Sequence, residues 1–339
     1  MMNKNTNIPR IYNIIIRLLI VIFAYLFIYK QVFYKKELHS LLHEFEDLFR
    51  TGNFFIQLGF IIVLMLINWS LETFKWKYLI QKIERIRFGS SFKAVMSGIT
   101  VSTFTPNRVG EYFGRVFIFK QANYWDGILI TIIGSMSQLL VTLITGIFAL
   151  LFFVLHYFDL QQFFFGYARI GLVFSAIVLS FFLIFLYFNV SLLSSLQNRL
   201  KWNWIRRIKR HLRVFSLYTN RQLAKVLFLS IMRYCVFSIQ FYLLLKLFGV
   251  NLPLSDGLMF ISLIFFVMTI IPTIALSELG IRGSIAIYFI GMYFDKFSLL
   301  NEQINLGILT ASVMLWLINL AIPALIGSFF VFNLKFFRR

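Results

Sequence analysis

T-F-T-P-N-R-V-G-E-Y-F-G-R at 103–115 and I-I-P-T-I-A-L-S-E-L-G-I-R at 270–282 follow one pattern: a proline cuts an apolar run, and a glutamate and an arginine follow, four positions apart. The pairs are Glu111–Arg115 and Glu278–Arg282, and 167 positions separate each residue from its counterpart. Residues four apart share one helical face. Proline removes a backbone donor and clashes with the preceding turn, so Pro106 and Pro272 mark helix breaks. The surroundings are membrane-like, where an ionised side chain at mid-depth costs about 2.5–3.5 kcal/mol. Two such pairs in matching broken helices predict a duplicated architecture with its charged centre near the bilayer midplane.

Of the 339 residues, 60% are hydrophobic, 19% aromatic and 14% charged, a profile that excludes a soluble domain. Crossing a roughly 30 Å hydrocarbon core takes about 20 apolar residues. Six runs qualify: 11–34, 54–76, 128–155, 168–190, 222–248 and 306–333. The first has a basic start but no small-residue cleavage site after Ala24, so it reads as a retained span and not a cleaved leader. The single cysteine, Cys235, excludes an internal disulfide and reads as a packing residue within its span. His39, His43, His156 and His211 stand in no ligand spacing, so neither metal nor cofactor is expected.

The net charge of +20 is unevenly spread. The N-terminus, 72–93, 191–225 and the C-terminal tail together carry 20 Lys/Arg, against 4 in 35–53, 156–167, 249–257 and 294–305. The positive-inside bias then puts both termini in the cytoplasm. Dispersal of the basic residues over short loops beside spans argues against a nucleic-acid partner. This topology obliges 94–120 and 258–293 to enter and leave the membrane on one side. A helix over 94–105 reaches only about 18 Å, so both segments read as re-entrant hairpins broken at Pro106 and Pro272. The first opens to the cytoplasm and the second to the outside. The expected fold is an all-α integral membrane protein with six spanning helices and two re-entrant broken-helix hairpins. Its two inverted halves, 1–160 and 161–339, each run span, span, hairpin, span.

Non-helical backbone at membrane depth is tolerated only inside protein or beside a wet cavity, so the hairpin tips are expected to meet. Arg108, Glu111 and Arg115 stand near the first tip with Ser102, Thr103, Thr105 and Asn107; Thr273, Ser277, Glu278 and Arg282 stand near the second. Polar positions on the spans match them: Ser135, Gln138, Thr142 and Thr145; Ser230, Arg233 and Gln240; Ser312 and Asn319. Arg233 lies about 16 Å into its helix, too deep for easy snorkelling. The candidate binding residues are therefore Arg108, Glu111, Arg115, Arg233, Gln240, Glu278, Arg282, Gln138 and Asn319, and no residue reads as catalytic. A structural reading stands beside this one: the Glu–Arg pairs as struts that fix the hairpins, and the hydroxyls and amides as helix–helix contacts. The stretches 37–50 and 201–215 each carry an apolar face and are expected to lie along the membrane surfaces, although 201–215 also reads as a plain cytoplasmic loop.

The first hairpin resembles the P-x-R-x-G-E-x-x-x-R signature of the lysylphosphatidylglycerol synthase transmembrane-region family, flippase-like integral membrane proteins, on Pro106, Arg108, Gly110, Glu111 and Arg115. Lys75–Trp76 in the second span, and Arg233–Tyr234 with Gln240 in the fifth, are similar to the same family. The second hairpin departs from the glycine-rich form. The resemblance implies a protein of the prokaryotic cytoplasmic (inner) membrane that moves a lipid with a charged head group between leaflets. Membrane lipids, phospholipid or polyprenyl-phosphate-linked, would be its partners, and no soluble synthase domain is expected after residue 339. Residue chemistry agrees, since guanidinium groups bind phosphate through paired hydrogen bonds and helices starting after each proline offer free N–H groups. Lipid transport without enzymatic activity is the leading expectation. The alternatives are a membrane-embedded transferase on a lipid-linked substrate, with Glu111 or Glu278 as general base, and a non-transporting scaffold.

Overall fold

The structure is a computed structural model, and it describes Leu19, Ile22 and residues 53–157, 167–190, 213–272 and 275–331. The described residues form helices joined by short links and contain no strand. Five stretches are long and apolar enough to cross a membrane. They are α1 (Phe54–Ile80), α4 (Tyr124–Tyr157), α5 (Tyr167–Phe188), α6 (Asn220–Leu247), and α9 (Glu302–Trp316) continued into α10 (Ile322–Val331). These match the second to sixth expected spans. Of the first, 11–34, only Leu19 and Ile22 are described; 37–50 and most of 201–215 lie outside the described residues. α5 exposes Phe174, Phe181, Phe182 and Phe185, an apolar face of the kind that meets lipid and not water.

Helix ends follow their local chemistry. Thr219 and Gln222 form a capping box at the start of α6, and the Asn301 side chain accepts from the Ile304 N–H at 2.8 Å to open α9; both satisfy otherwise orphaned backbone donors. Ahead of α6, the Tyr218 hydroxyl donates to the Leu79 carbonyl at 2.8 Å and fixes the entry of α6 against the end of α1. Burial pushes that phenol above its ordinary pKa.

Four shorter helices form two broken pairs: α2 (Phe88–Ser102) with α3 (Gly110–Val116), and α7 (Leu254–Ile270) with α8 (Ala275–Lys296). Both prolines fall in the breaks. Around Pro106 the chain makes a single 3-10 turn, and Asn107 (φ 50°) and Arg108 (φ 56°) adopt left-handed backbone. This conformation is uncommon outside glycine and most tolerated by Asn. The Thr105 hydroxyl accepts from the Gly110 N–H at 2.8 Å, which ties the turn to α3. The boundaries differ from expectation in three places. α2 begins at Phe88 and not at 94, α3 stops at Val116, and α8 has 22 residues. At 1.5 Å per residue α8 reaches about 33 Å, long enough to cross the core. Short arms therefore describe α2, α3 and α7 but not α8.

Small residues let these pairs pack closely. α2 and α3 meet at Gly98 and Gly114, where a Cβ on Gly114 would stand 2.7 Å from the Gly98 Cα. α2 also lies against α10: the Thr100 hydroxyl donates to the Ala324 carbonyl at 2.7 Å, and a Cβ on Gly327 would stand 2.1 Å from the Met96 carbonyl oxygen. The counterpart contact joins α7 to α4, where Phe266 fills the space over Gly146. α1 and α6 pack side by side. Cys235 is exposed on α6. It faces outward and is not the packing residue expected of it.

Candidate functional site

α1 carries Asn68, Glu72 and Lys75 on its inward face, all buried. Glu72 is the hub. Its Oε1 accepts from Arg115 Nη1 at 2.8 Å, and its Oε2 accepts from Lys75 Nζ at 2.8 Å and from Arg233 Nη1 at 2.9 Å. Arg115 reaches Glu111 with its other terminal nitrogen, so it lies between two carboxylates. Gly98 makes room for it, since a Cβ there would stand 2.8 Å from the Arg115 Cγ. Lys75 Nζ also lies 3.4 Å from the Ser230 hydroxyl, which pairs with Ser137 at 2.7 Å. Two carboxylate oxygens thus hold cations from three elements together: α1, α3 and α6.

A second centre joins the two broken pairs. Arg108 Nη2 lies 2.9 Å from each oxygen of Glu278, across 170 positions of sequence. Glu278 also pairs with Arg282 on its own helix. Glu278 is buried, whereas the Arg108 side chain keeps 40% of its exposure. The first tip therefore meets α8 through an arginine that is still reachable. The two centres together hold three carboxylates (Glu72, Glu111, Glu278) and five cations (Lys75, Arg108, Arg115, Arg233, Arg282), an excess of two positive charges.

Between them lies a cavity of about 280 Å³ with Arg108, Arg233 and Arg282 in its wall, together with Gln138, Asn68, Asn319 and the indoles of Trp69 and Trp316. An amide relay crosses it. Arg233 Nε donates to Asn68 at 3.1 Å, Asn68 donates to Asn319 at 3.4 Å, Asn319 donates to Gln240 at 2.9 Å, and Gln240 donates to the Ile61 carbonyl at 3.0 Å. Asn319 sits in a π turn, Leu317–Ala321, between α9 and α10, a feature that often marks functional positions in helices. Arg233 stacks over the Trp69 ring at 5.2 Å.

Of the residues read from sequence, Arg108, Arg233, Arg282, Gln138 and Asn319 line the cavity. Glu278 grips Arg108 and Arg282 beside it. Glu111 and Arg115 belong to the first centre, and Gln240 is wholly buried in the relay. The hydroxyls of Thr142, Thr145 and Ser312 donate to carbonyls of their own helices, and Thr142 also lines the cavity. The sequence reading passed over Glu72, Asn68 and Trp69, and counted Lys75 among the cytoplasmic charges while also placing it in the second span. α1 extends to Ile80, so Lys75 is a buried member of the centre and not part of the cytoplasmic count. The available signal was the spacing of Asn68, Glu72 and Lys75, which puts all three on one helical face. Among the described residues no group of three His, Cys, Asp or Glu could hold a metal ion.

The family described as the lysylphosphatidylglycerol synthase TM region matches residues 14–298, across α1 to α8 and both broken pairs. No curated protein and no solved structure matches the chain. With apolar helices of spanning length, an arginine-rich buried centre and that match over most of its length, the chain belongs to the lysylphosphatidylglycerol synthase transmembrane-region family of integral membrane proteins.

Proposed function

We propose that the protein moves a lipid with an anionic head group between the leaflets of a prokaryotic cytoplasmic membrane, with both termini in the cytoplasm. The observation that carries this reading is a cavity with Arg108, Arg233 and Arg282 in its wall, between two charged centres that together hold an excess of two positive charges. Buried charge in a membrane protein is expensive and marks functional sites by default. A phosphate fits the excess, because arginine offers it paired donors. The cavity is the size of a head group and leaves no room for acyl chains, which would remain in the bilayer.

Glu278 and an incoming phosphate compete for Arg108 and Arg282. Without ligand, Glu278 holds both arginines; with ligand, the arginines turn to phosphate and the contact between the hairpins loosens. That exchange couples binding to movement of one half against the other, as alternating access requires. The inverted repeat, with six spans and two re-entrant pairs, is part of this proposal. Its support is reciprocal packing, α2 on α10 and α7 on α4, together with the pairing of the corresponding spans α1 and α6. A transferase needs a carboxylate free to take a proton, whereas Glu111 and Glu278 are both engaged by arginine. The test is flipping of a fluorescent anionic lipid in proteoliposomes. Transport above protein-free liposomes supports the reading, and its absence from correctly folded protein refutes it.

A further inference from the structure

We propose that a groove of about 430 Å³ between α1 and α6 binds the phosphate head group of an anionic phospholipid from the cytoplasmic leaflet. The proposal rests on the membrane orientation given above and not on lipid transport. The groove shares no lining residue with the cavity at the broken helix pairs. α1 contributes Phe74, Lys77, Tyr78 and Gln81 to it, and α6 contributes Lys225 and Phe228. These positions belong to the outer faces of the two helices. Phe74 is 51% exposed and Phe228 58%, whereas Lys75 and Ser230, which meet at the first charged centre, are buried.

Both helices present the same order of chemistry with depth. α1 ends at Ile80 and α6 begins at Asn220, each on the side assigned to the cytoplasm. At the usual rise, Lys77 and Lys225 lie about 5 and 8 Å below those ends, and Phe74 and Phe228 lie about 9 and 12 Å below them. Cations above exposed rings match a phosphate above acyl chains, and basic pockets between spans on this side of a membrane suit anionic head groups. The Lys225 ammonium reaches across to α1, where it stands 5.4 Å from the centre of the Tyr78 ring. No carboxylate is among the described residues that line the groove. The acidic residues nearest to Lys77 in sequence are engaged elsewhere: Glu72 in the first centre, and Glu84 with the backbone N–H groups of Lys120, Gln121 and Ala122. A lipid seated here bridges α1 and α6 and braces, from outside, the contact that holds Glu72 against Arg233.

The experiment follows the melting temperature of the full chain in an uncharged detergent while phosphatidylglycerol, phosphatidylcholine or inorganic phosphate is titrated in. The expected result is a saturable rise with phosphatidylglycerol and little change with the other two. Lys77→Gln and Lys225→Gln should each raise the half-saturating phosphatidylglycerol concentration about fivefold, the effect of one cation lost near the membrane surface. Without lipid both variants should melt with the wild type, because neither lysine is buried. Replacing both lysines by arginine should preserve the wild-type half-saturation, and so should Arg108→Ala, which alters only the other cavity. Wild type that shows no rise, an equal rise with phosphatidylcholine, or a rise that inorganic phosphate reproduces would overturn the site. A half-saturation unmoved in both Gln variants would overturn it as well. None of these results touches the flipping assay, and a failure of flipping would leave this site standing.

Discussion

At the scale of single residues, Glu72 carries the heaviest duty, because one carboxylate contacts three cations, two of them buried. Glu72→Gln keeps the shape but leaves Lys75 and Arg233 without a carboxylate and Arg115 with Glu111 alone. Breaking a buried pair by removing one partner costs about 3–5 kcal/mol, so thermal melts in detergent should show a large loss of stability or of folded yield. Glu111→Gln should cost much less, since Arg115 keeps Glu72 and the Glu111 side chain is 24% exposed. Similar melting curves for the two variants would remove Glu72 from its place as the hub. The arginines divide in the same way. Arg115 is 2% exposed between two carboxylates, whereas Arg108 is 40% exposed on the cavity. Arg115→Ala should lose stability and transport together, and Arg108→Ala should lose transport with little change in melting temperature. The charged pairs and the depth of Arg233 were legible in the sequence because charge in an apolar run stands out. Glu72 was not, because it sits in the last turn of the expected span, where it and Lys75 were counted with the charges that follow it.

Among the elements, the close packing of α2 against α3 and α10 rests on missing side chains. Gly327→Ala would place its Cβ 2.1 Å from the Met96 carbonyl oxygen, and Gly98→Ala would press on the Glu111 carbonyl oxygen at 3.0 Å as well as on Arg115. Overpacking of this kind costs about 1–3 kcal/mol, and both variants should melt earlier than wild type. Gly59→Ala has nothing within 4 Å and should be neutral or slightly stabilising. If all three behave alike, the contact between α2 and its neighbours is looser than described. Apolar length located five spans, and proline chemistry located both breaks, because each depends on local composition. The π turn that presents Asn319 escaped the sequence reading, since Leu317–Ala321 has no proline or glycine to announce it. The length of α8 was within the expected bounds, since 273–293 is 21 residues, but the shortness of 94–105 was extended to an arm it does not describe. Glu278 and Arg282 lower its local hydropathy without interrupting its helix.

For the whole molecule, the proposal joins an inverted topology to a lipid path, and each half of it can be tested. With Cys235 replaced by Ser, single cysteines at 120–127 should label from the inside and those at 294–305 from the outside, as the division of Lys/Arg predicts, 19 to 4 once the buried Lys75 is left out; the reverse pattern at either site would sink the inverted arrangement. The central claim is that reachable arginine at the meeting of the two broken pairs binds the head group. It is tested most directly by the initial rate of anionic-lipid flipping in proteoliposomes with wild type, Arg108→Lys and Arg108→Ala, each checked by its melting temperature. The expected order is wild type, then Lys with partial activity, then Ala with none, because a point charge replaces only part of what a planar guanidinium offers. Melting temperatures should stay close throughout. Full transport by Arg108→Ala, or a loss of transport that merely tracks a loss of stability, would contradict the claim and leave the Arg108–Glu278 contact a strut.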